Sequence, residues 1–154
     1  MASLTLAPSI KTGHIGLNVS DLQRSKHFYQ QVFGFEVLGE SREVGRQFVF
    51  LGQDGTPVLT LWQQSAGRFA THQVGLHHLA FQVSTIDAVR ALEERLHALG
   101  TPFLYDGIVP HAEGADSGGV FFEDPDGIRL EIYSPSGTHG LAAPTADAPS
   151  CGFF

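Results

Sequence analysis

Two histidines and one carboxylate occupy positions from which they could act together on a metal ion. His14 opens the run His-Ile-Gly-Leu-Asn-Val-Ser, His78 opens the similar run His-Leu-Ala-Phe-Gln-Val-Ser, and Glu131 lies in Ile-Arg-Leu-Glu-Ile-Tyr. Two imidazoles and one carboxylate on one side of an ion form the facial arrangement typical of Fe²⁺ sites, and Mn²⁺, Ni²⁺, Co²⁺ or Zn²⁺ could also occupy it. The sequence therefore predicts a divalent metal site at these three residues, with Fe²⁺ favoured.

A structural interpretation of the same residues also stands. A strand histidine is often a hydrogen-bonded structural residue, and Glu131 could pair with Arg129, two positions earlier in the same run. A buried carboxylate needs either such a cation or a metal ion to offset its desolvation. The partner of Glu131 therefore distinguishes the two interpretations.

A second set of residues is predicted to act beside the metal. His111 lies in the loop Pro-His-Ala-Glu-Gly-Ala-Asp-Ser-Gly-Gly, and because an imidazole can donate or accept a proton, it is, with Glu131, a candidate acid or base. A solvated loop histidine is the alternative for His111. His77 adjoins His78 but is predicted to point to the opposite face of its strand, where it would be structural.

The alternation of apolar and polar residues along the predicted strands indicates which residues line a pocket. Residues two apart in a strand share a face, so the polar positions lie opposite the apolar ones that pack under a helix. If the two repeated units curl their sheets toward each other, these faces line one concave cavity. Core packing explains the aromatic members equally well. The predicted pocket residues are Asn18, Phe50, Thr60, Trp62, Phe122, Arg129 and Tyr133.

An internal repeat supplies the elements that must position these side chains. Each histidine run reads as a strand followed by an amphipathic helix, the first capped by Ser20 or Asp21 and stopped by Gly34. Asp-Gly turns at positions 54–55 and 126–127 then predict hairpins. The sequence predicts an α+β fold of two βαβββ modules, about 10–64 and 74–134, after an N-terminal arm at 1–9 and before a Pro/Ala-rich tail at 135–154.

Composition excludes several classes of partner. The chain has 154 residues, 42% of them hydrophobic, which suits a single globular domain. Its net charge of −7 repels nucleic acid and anionic lipid surfaces. A single cysteine, Cys151, excludes an internal disulfide framework and is compatible with a reducing compartment. We expect a cytoplasmic protein with a small-molecule substrate and neither a nucleic-acid nor a membrane partner.

These motifs resemble the vicinal oxygen chelate superfamily, which includes glyoxalase I, extradiol dioxygenases, fosfomycin-resistance thiol transferases and bleomycin-binding proteins. The resemblance covers about residues 10–134 and rests on GHIGLNVSDLQRSKHFYQQVFGFEVL, HHLAFQV and FFEDPDGIRLEIYSP. It implies a cupped mixed sheet, a homodimer, and ligand positions at His14, Thr60, His78 and Glu131. Thr60 departs from the Glu or Gln of four-ligand glyoxalases, which leaves a three-ligand set.

The resemblance implies a metal-dependent enzyme that acts on a small substrate with adjacent oxygen atoms. Dioxygenase-like chemistry is favoured over lyase or isomerase chemistry of the glyoxalase type, because a glyoxalase reaction requires a further metal-linked carboxylate. The alternative is a metal-free protein that sequesters an antibiotic or another natural product, as bleomycin-binding members do. Metal content separates the two possibilities.

Overall fold

The computed structural model describes residues 7–154, which form two consecutive modules with the same order of elements; positions 1–6 of the predicted N-terminal arm lie outside them. The first module comprises β1 (Ile15–Val19), α1 (Leu22–Phe33), β2 (Glu36–Ser41), β3 (Phe48–Gln53) and β4 (Thr56–Gln63). The second comprises β5 (Leu79–Gln82), α2 (Ile86–Ala98), β6 (Val109–Pro110), β7 (Gly118–Glu123) and β8 (Arg129–Ser134). The predicted α+β fold of two βαβββ modules is confirmed.

Each module builds its own four-stranded mixed sheet. The strand orders are β1-β4-β3-β2 and β5-β8-β7-β6. The first strand of each module runs parallel to the last one, while the other neighbours are antiparallel. His14 and His78 thus each immediately precede an edge strand at equivalent places in the two sheets.

Local signals in the sequence determine where α1 begins and ends and where the chain turns between β3 and β4. Asp21 accepts a hydrogen bond from the backbone N–H of Arg24 at 3.0 Å, and Gly34 closes α1 with a φ of 70°. Asp54 and Gly55 both have positive φ, 51° and 74°, which is the geometry of a tight hairpin turn. No helix within residues 7–154 is long and apolar enough to cross a membrane.

One apolar core is shared by both modules. The helices α1 and α2 contact each other and cover one face of their own sheets. Side chains of both sheets and both helices enter this core, among them Leu17, Tyr29, Leu61, Val89, Phe122 and Leu130. Burial of this surface is the main stabilising contribution to the fold. The other face of each sheet consequently lies on the side away from the core.

A buried polar network also joins the two modules. The hydroxyl group of Tyr29 in α1 donates to Oδ2 of Asp124 at 2.8 Å, in the turn between β7 and β8. Asp126 of the same turn accepts hydrogen bonds from the backbone N–H of Ser20 at 3.0 Å and from Arg24 at 2.9 Å. The turn that leads into β8, the strand of Glu131, is therefore held against the start of α1.

Candidate metal centre

His78 and Glu131 meet on the face of the second sheet that lies away from the core. Ala80 of β5 is paired with Glu131 of β8, and His78 precedes Ala80 by two residues, which brings it to the same face. The Nε2 atom of His78 lies 3.7 Å from Oε2 of Glu131. The Glu131 side chain is only 3% exposed. The structure thus brings together two of the three metal ligands predicted from the sequence.

His111 contacts the other oxygen of the same carboxylate. Its Nε2 atom is in hydrogen-bond contact with Oε1 of Glu131, and its Nδ1 atom lies 2.8 Å from Oγ of Ser117. Both ring nitrogens are therefore engaged, and the side chain is only 25% exposed. The alternative of a fully solvated loop histidine does not describe this residue.

His77 belongs to the same cluster, so the prediction from strand alternation that it points to the opposite face is wrong. Its Nδ1 atom lies 2.8 Å from Nδ1 of His78, so one ring donates the proton and the other accepts it. His77 precedes β5 by two residues, where strand alternation no longer determines the side-chain direction. The contact leaves Nε2 of His78 as the nitrogen that faces Glu131.

Burial lowers the pKa of His78. The negative charge of Glu131 opposes this effect, while His77, Arg129 and His111 add to it. The net result is a pKa below the ordinary value, so His78 is neutral at pH 7 and its Nε2 atom can carry a free lone pair. A neutral imidazole is the form that binds a metal ion.

Glu131 has imidazoles rather than a cationic side chain as its charge partners. Within the described part of the chain, the basic side chains that contact its carboxylate are those of His78 and His111. Arg129, the alternative partner considered from the sequence, instead donates from Nε to the carbonyl oxygen of His77 at 3.1 Å. Its guanidinium carbon lies 4.5 Å from the centre of the Phe153 ring.

The spacing of His78 and Glu131 fits two ligands of one ion. Nitrogen and oxygen ligands bind a transition metal at about 2.0–2.2 Å, so two adjacent ligands of one ion lie roughly 3.0–3.5 Å apart. The 3.7 Å between His78 and Glu131 comes within this range after a movement of a few tenths of an ångström. One chain provides too few ligands, however. Among residues 7–154, no group of three or more His, Cys, Asp or Glu side chains is arranged to hold a metal ion.

His14 and the predicted pocket residues of the first module lie on a different sheet. His14 is exposed, and no hydrogen bond or ion pair between described residues joins it to His78 or Glu131. Thr60 is buried, and its hydroxyl accepts a hydrogen bond from Nε1 of Trp62 at 3.0 Å. Asn18 accepts one from the backbone N–H of Gln64 at 3.0 Å. The ring centres of Phe50 and Trp62 lie 5.9 Å apart.

Phe122 was predicted to line the pocket, and this prediction is wrong. Phe122 pairs with Leu130 and belongs to the shared core, where its ring contacts Phe28. Phe121 pairs with Glu131 and is therefore on the side of the candidate site, with its ring centre 6.4 Å from that of His111. The sequence offered two adjacent phenylalanines, and the wrong one was assigned because the register of β7 against β8 was unknown.

Tyr133 lies on the predicted face. Its hydroxyl donates to Oε1 of Gln82 on the neighbouring strand at 2.9 Å, and its ring centre lies 4.9 Å from that of His111. It therefore supports the His111 ring, which in turn contacts Glu131.

The C-terminal residues also reach this face, which the sequence analysis did not anticipate. Ser150 donates its backbone N–H to the carbonyl oxygen of His111 at 2.8 Å. Burial raises the pKa of the Cys151 thiol, and the negative charge of Glu131 raises it further. The sequence signal was the aromatic pair in Cys-Gly-Phe-Phe, of which Phe153 packs on this face while Phe154 is exposed.

Comparison with known proteins gives a consistent set of similarities. The family model described as Glyoxalase/Bleomycin resistance protein/Dioxygenase superfamily matches residues 11–132. The uncharacterized protein YqjT of Bacillus subtilis is 33% identical, over 80% of this chain and 98% of its own length. The lactoylglutathione lyase of Haemophilus influenzae is 31% identical, over 81% of this chain and 93% of its own length.

A solved structure shows the same fold. It is the crystal structure of a glyoxylase/bleomycin resistance protein/dioxygenase domain from Frankia sp. EAN1pec, 26% identical to this chain with a TM-score of 0.69. The match covers 82% of this chain and 98% of the Frankia chain.

Proposed function

We propose a metal-dependent enzymatic function, proceeding from the fact that the chain belongs to the Glyoxalase/Bleomycin resistance protein/Dioxygenase superfamily. The substrate is a small molecule with adjacent oxygen atoms, and the metal ligands are His14, His78 and Glu131. The reaction is dioxygenase-like, with lyase or isomerase chemistry of the glyoxalase type as the less favoured reaction class, because Thr60 stands where that chemistry would have a further carboxylate ligand.

The observation that carries this proposal is the environment of Glu131. A buried carboxylate is costly unless a positive charge compensates it. No Lys or Arg side chain forms an ion pair with Glu131 in the described part of the chain, and its neighbours are the imidazoles of His78 and His111. Glu131 and the Nε2 lone pair of His78 would together hold a divalent cation, which would compensate the charge of the carboxylate.

The third ligand is proposed to come from a second copy of the chain. His14 precedes β1 as His78 precedes β5, but the two sheets turn these faces away from their shared core. A twofold homodimer can set the first sheet of one subunit against the second sheet of its partner, and symmetry then creates two equivalent sites. The partly exposed aromatic cluster of Phe48, Phe50 and Trp62 on the first sheet supports such an interface.

The state of Thr60 supports a three-ligand set. Its hydroxyl is buried and already accepts a hydrogen bond from Trp62, so it is not free to bind an ion. Two imidazoles and one carboxylate leave coordination positions for the substrate and a further molecule, as a dioxygenase-like reaction requires. Fe²⁺ is the favoured ion on this argument, with Mn²⁺, Ni²⁺, Co²⁺ or Zn²⁺ as substitutes.

The chain's own groups provide the proton transfers. His14, His78 and Glu131 would hold the divalent ion, which would supply Lewis-acid chemistry toward a substrate with adjacent oxygen atoms. His111 can gain a proton at Nδ1 by way of the Ser117 hydroxyl group, which passes its own proton to Nδ1 as it accepts one from the substrate. The contact of Nε2 with Glu131 stabilises the positive charge that the imidazole then carries. Ser117 and Tyr133 hold the ring in that position. We therefore assign His111 and Glu131 the catalytic roles.

Metal content tests the proposal. Anaerobically purified protein, stripped and then reloaded with Fe²⁺ or Mn²⁺, is expected to retain about one ion per chain by elemental analysis. His78→Ala and Glu131→Gln should lose the ion, whereas His139→Ala, at an exposed position, should keep it. A metal-free wild-type protein would contradict the proposal, and small-molecule binding that persists in His78→Ala would indicate sequestration instead.

A further inference from the structure

The C-terminal segment, defined as Ser150–Phe154, is fastened to the site through its first residue. Ser150 is buried and donates its backbone N–H to the carbonyl of His111 at 2.8 Å and its hydroxyl to the carbonyl of Pro110 at 2.5 Å. Its own carbonyl accepts a hydrogen bond from the hydroxyl of Tyr105 at 2.7 Å. The segment thus begins on the loop that also carries His111.

Phe153 extends from this anchor into a box of aromatic and cationic side chains. Its ring is parallel to that of Tyr105, with 6.0 Å between centres and 12° between planes, and it meets Phe121 edge to face at 5.7 Å. The guanidinium of Arg129 lies over one face of the ring. The ring box is formed by His77, His78, Tyr105, Phe121 and Arg129.

The backbone of Phe153 is in a conformation that this residue type disfavours. Its φ and ψ are 58° and 43°, in the left-handed region, which is unfavourable for a residue with a bulky side chain. Only Phe153 and Asp54 among the described non-glycine residues have a positive φ. The contacts of the ring therefore hold the segment against its own backbone preference, so a competitor for the ring box has a strained segment to displace.

We propose that the ring box is a binding position for a flat, electron-rich aromatic ring, which Phe153 fills when no ligand is bound and vacates when such a ligand enters. The box shares His78 with the candidate metal centre and adjoins Glu131 through Phe121. A cation over a ring face attracts electron-rich rings most strongly, so Arg129 favours a ring that carries oxygen substituents. The inference rests on the proposed function, because it takes this ring to be part of the substrate.

The sole cysteine provides a direct readout of the segment's position. Cys151 lies between the Ser150 anchor and Phe153 and is partly buried while the segment is docked. Release of the segment exposes the thiol, so the rate of its reaction with Ellman's reagent measures the undocked population. The rate is measured on full-length chain, first with a chelator and then after loading with Mn²⁺, which does not oxidise the probe.

Catechol is the aromatic probe, and cis-1,2-cyclohexanediol, with the same pair of hydroxyl groups on a non-aromatic ring, is the control. Catechol is expected to increase the rate of Cys151 modification saturably, by roughly tenfold, in at least one of the two metal states, and the cyclohexanediol is expected to leave it unchanged. Equal rates with saturating catechol and with the cyclohexanediol in both states would overturn the proposal.

Two adjacent phenylalanines provide matched variants. Phe153→Ala should raise the rate without catechol to the level that catechol induces in the wild type, and catechol should then have no further effect. Phe154→Ala, at a position that is 85% exposed, should behave as the wild type does. Equal rates in the two variants would show that Phe153 does not hold the segment. Because the thiol assay needs no metal, its failure is distinguishable from a failure of metal uptake.

Discussion

The Nδ1 atoms of His77 and His78 lie 2.8 Å apart, so each ring fixes the orientation of the other. This contact determines that His78 presents Nε2 to Glu131. Groups that orient a metal-binding imidazole in this way contribute strongly to metal affinity. His77 is thereby linked to the candidate metal centre, although it is itself exposed.

We predict that His77→Ala weakens metal binding by roughly 10- to 100-fold. The variant loses the hydrogen bond that holds His78, while His78 itself remains. His77→Asn, whose side-chain oxygen can accept from Nδ1 of His78, should recover part of the affinity. Isothermal titration with Mn²⁺ measures the effect, with the exposed His72→Ala as control. Equal affinities for His77→Ala and His72→Ala would refute the orienting role.

Asp124 is predicted to be among the most sensitive polar positions for stability. Its Oδ1 atom accepts the backbone N–H groups of Asp126 and Ile128, both at 2.9 Å, and its Oδ2 atom accepts from Tyr29. Asp124→Ala leaves these buried donors unpaired and should lower the free energy of unfolding by about 3 kcal/mol. Asp124→Asn keeps an acceptor at Oδ1 and should cost about 1 kcal/mol.

Urea denaturation measures both changes, with Asp106→Ala at an exposed position as the control. A loss in Asp124→Ala no larger than that in Asp106→Ala would mean that the turn does not need this carboxyl group.

The pH dependence of stability follows from the same carboxyl group. Burial raises the pKa of Asp124 in the folded chain, although hydrogen bonds from Ile128, Tyr29 and Asp126 oppose the rise. As pH increases from about 4, the unfolded chain loses this proton first, so the free energy of unfolding falls until the folded chain has lost it too. The contribution of this carboxyl group is isolated by subtracting the free energy of unfolding of Asp124→Asn from that of the wild type at each pH. A difference that grows in favour of the wild type as pH rises would contradict the sign.

How much of this the sequence predicted depends on how local each signal is. The end of α1 at Gly34 and the hairpin at Asp54-Gly55 were predicted correctly, because each depends on the residues at that point. The choice of Phe122 over Phe121 depended on the register between β7 and β8, which no local pattern contains.

The residues of the candidate site were likewise predicted correctly where a sequence pattern indicates them and missed where none does. The internal repeat was enough to predict that His78 and Glu131 lie on one face of the second sheet. No sequence pattern indicated the contact of His77 with His78 or the docking of Phe153. The first lies just outside a strand, and the second joins residues that are distant in the chain by way of an irregular tail, so neither has a periodic signature.

A charge on the open face of the first sheet should prevent dimer formation. Phe48 is half-buried beside Phe50 and Trp62, with ring centres 4.9 and 5.3 Å away. In the proposed homodimer a glutamate there would be desolvated without a partner, so Phe48→Glu is expected to be a folded monomer. Analytical ultracentrifugation measures the mass, and Val44→Glu, at a fully exposed loop position, should remain dimeric. A dimeric Phe48→Glu protein would place the interface elsewhere.

Co-expression of two defective variants tests the metal centre shared between subunits most directly. His14→Ala and Glu131→Ala should each lack bound metal when expressed alone. In a twofold dimer whose sites combine His14 of one chain with His78 and Glu131 of the other, random pairing restores roughly a quarter of the sites. Elemental analysis of the co-expressed protein should therefore recover about that fraction of the wild-type metal content. Complete absence of metal in the mixture, with the wild type fully loaded, would contradict a site built from two chains.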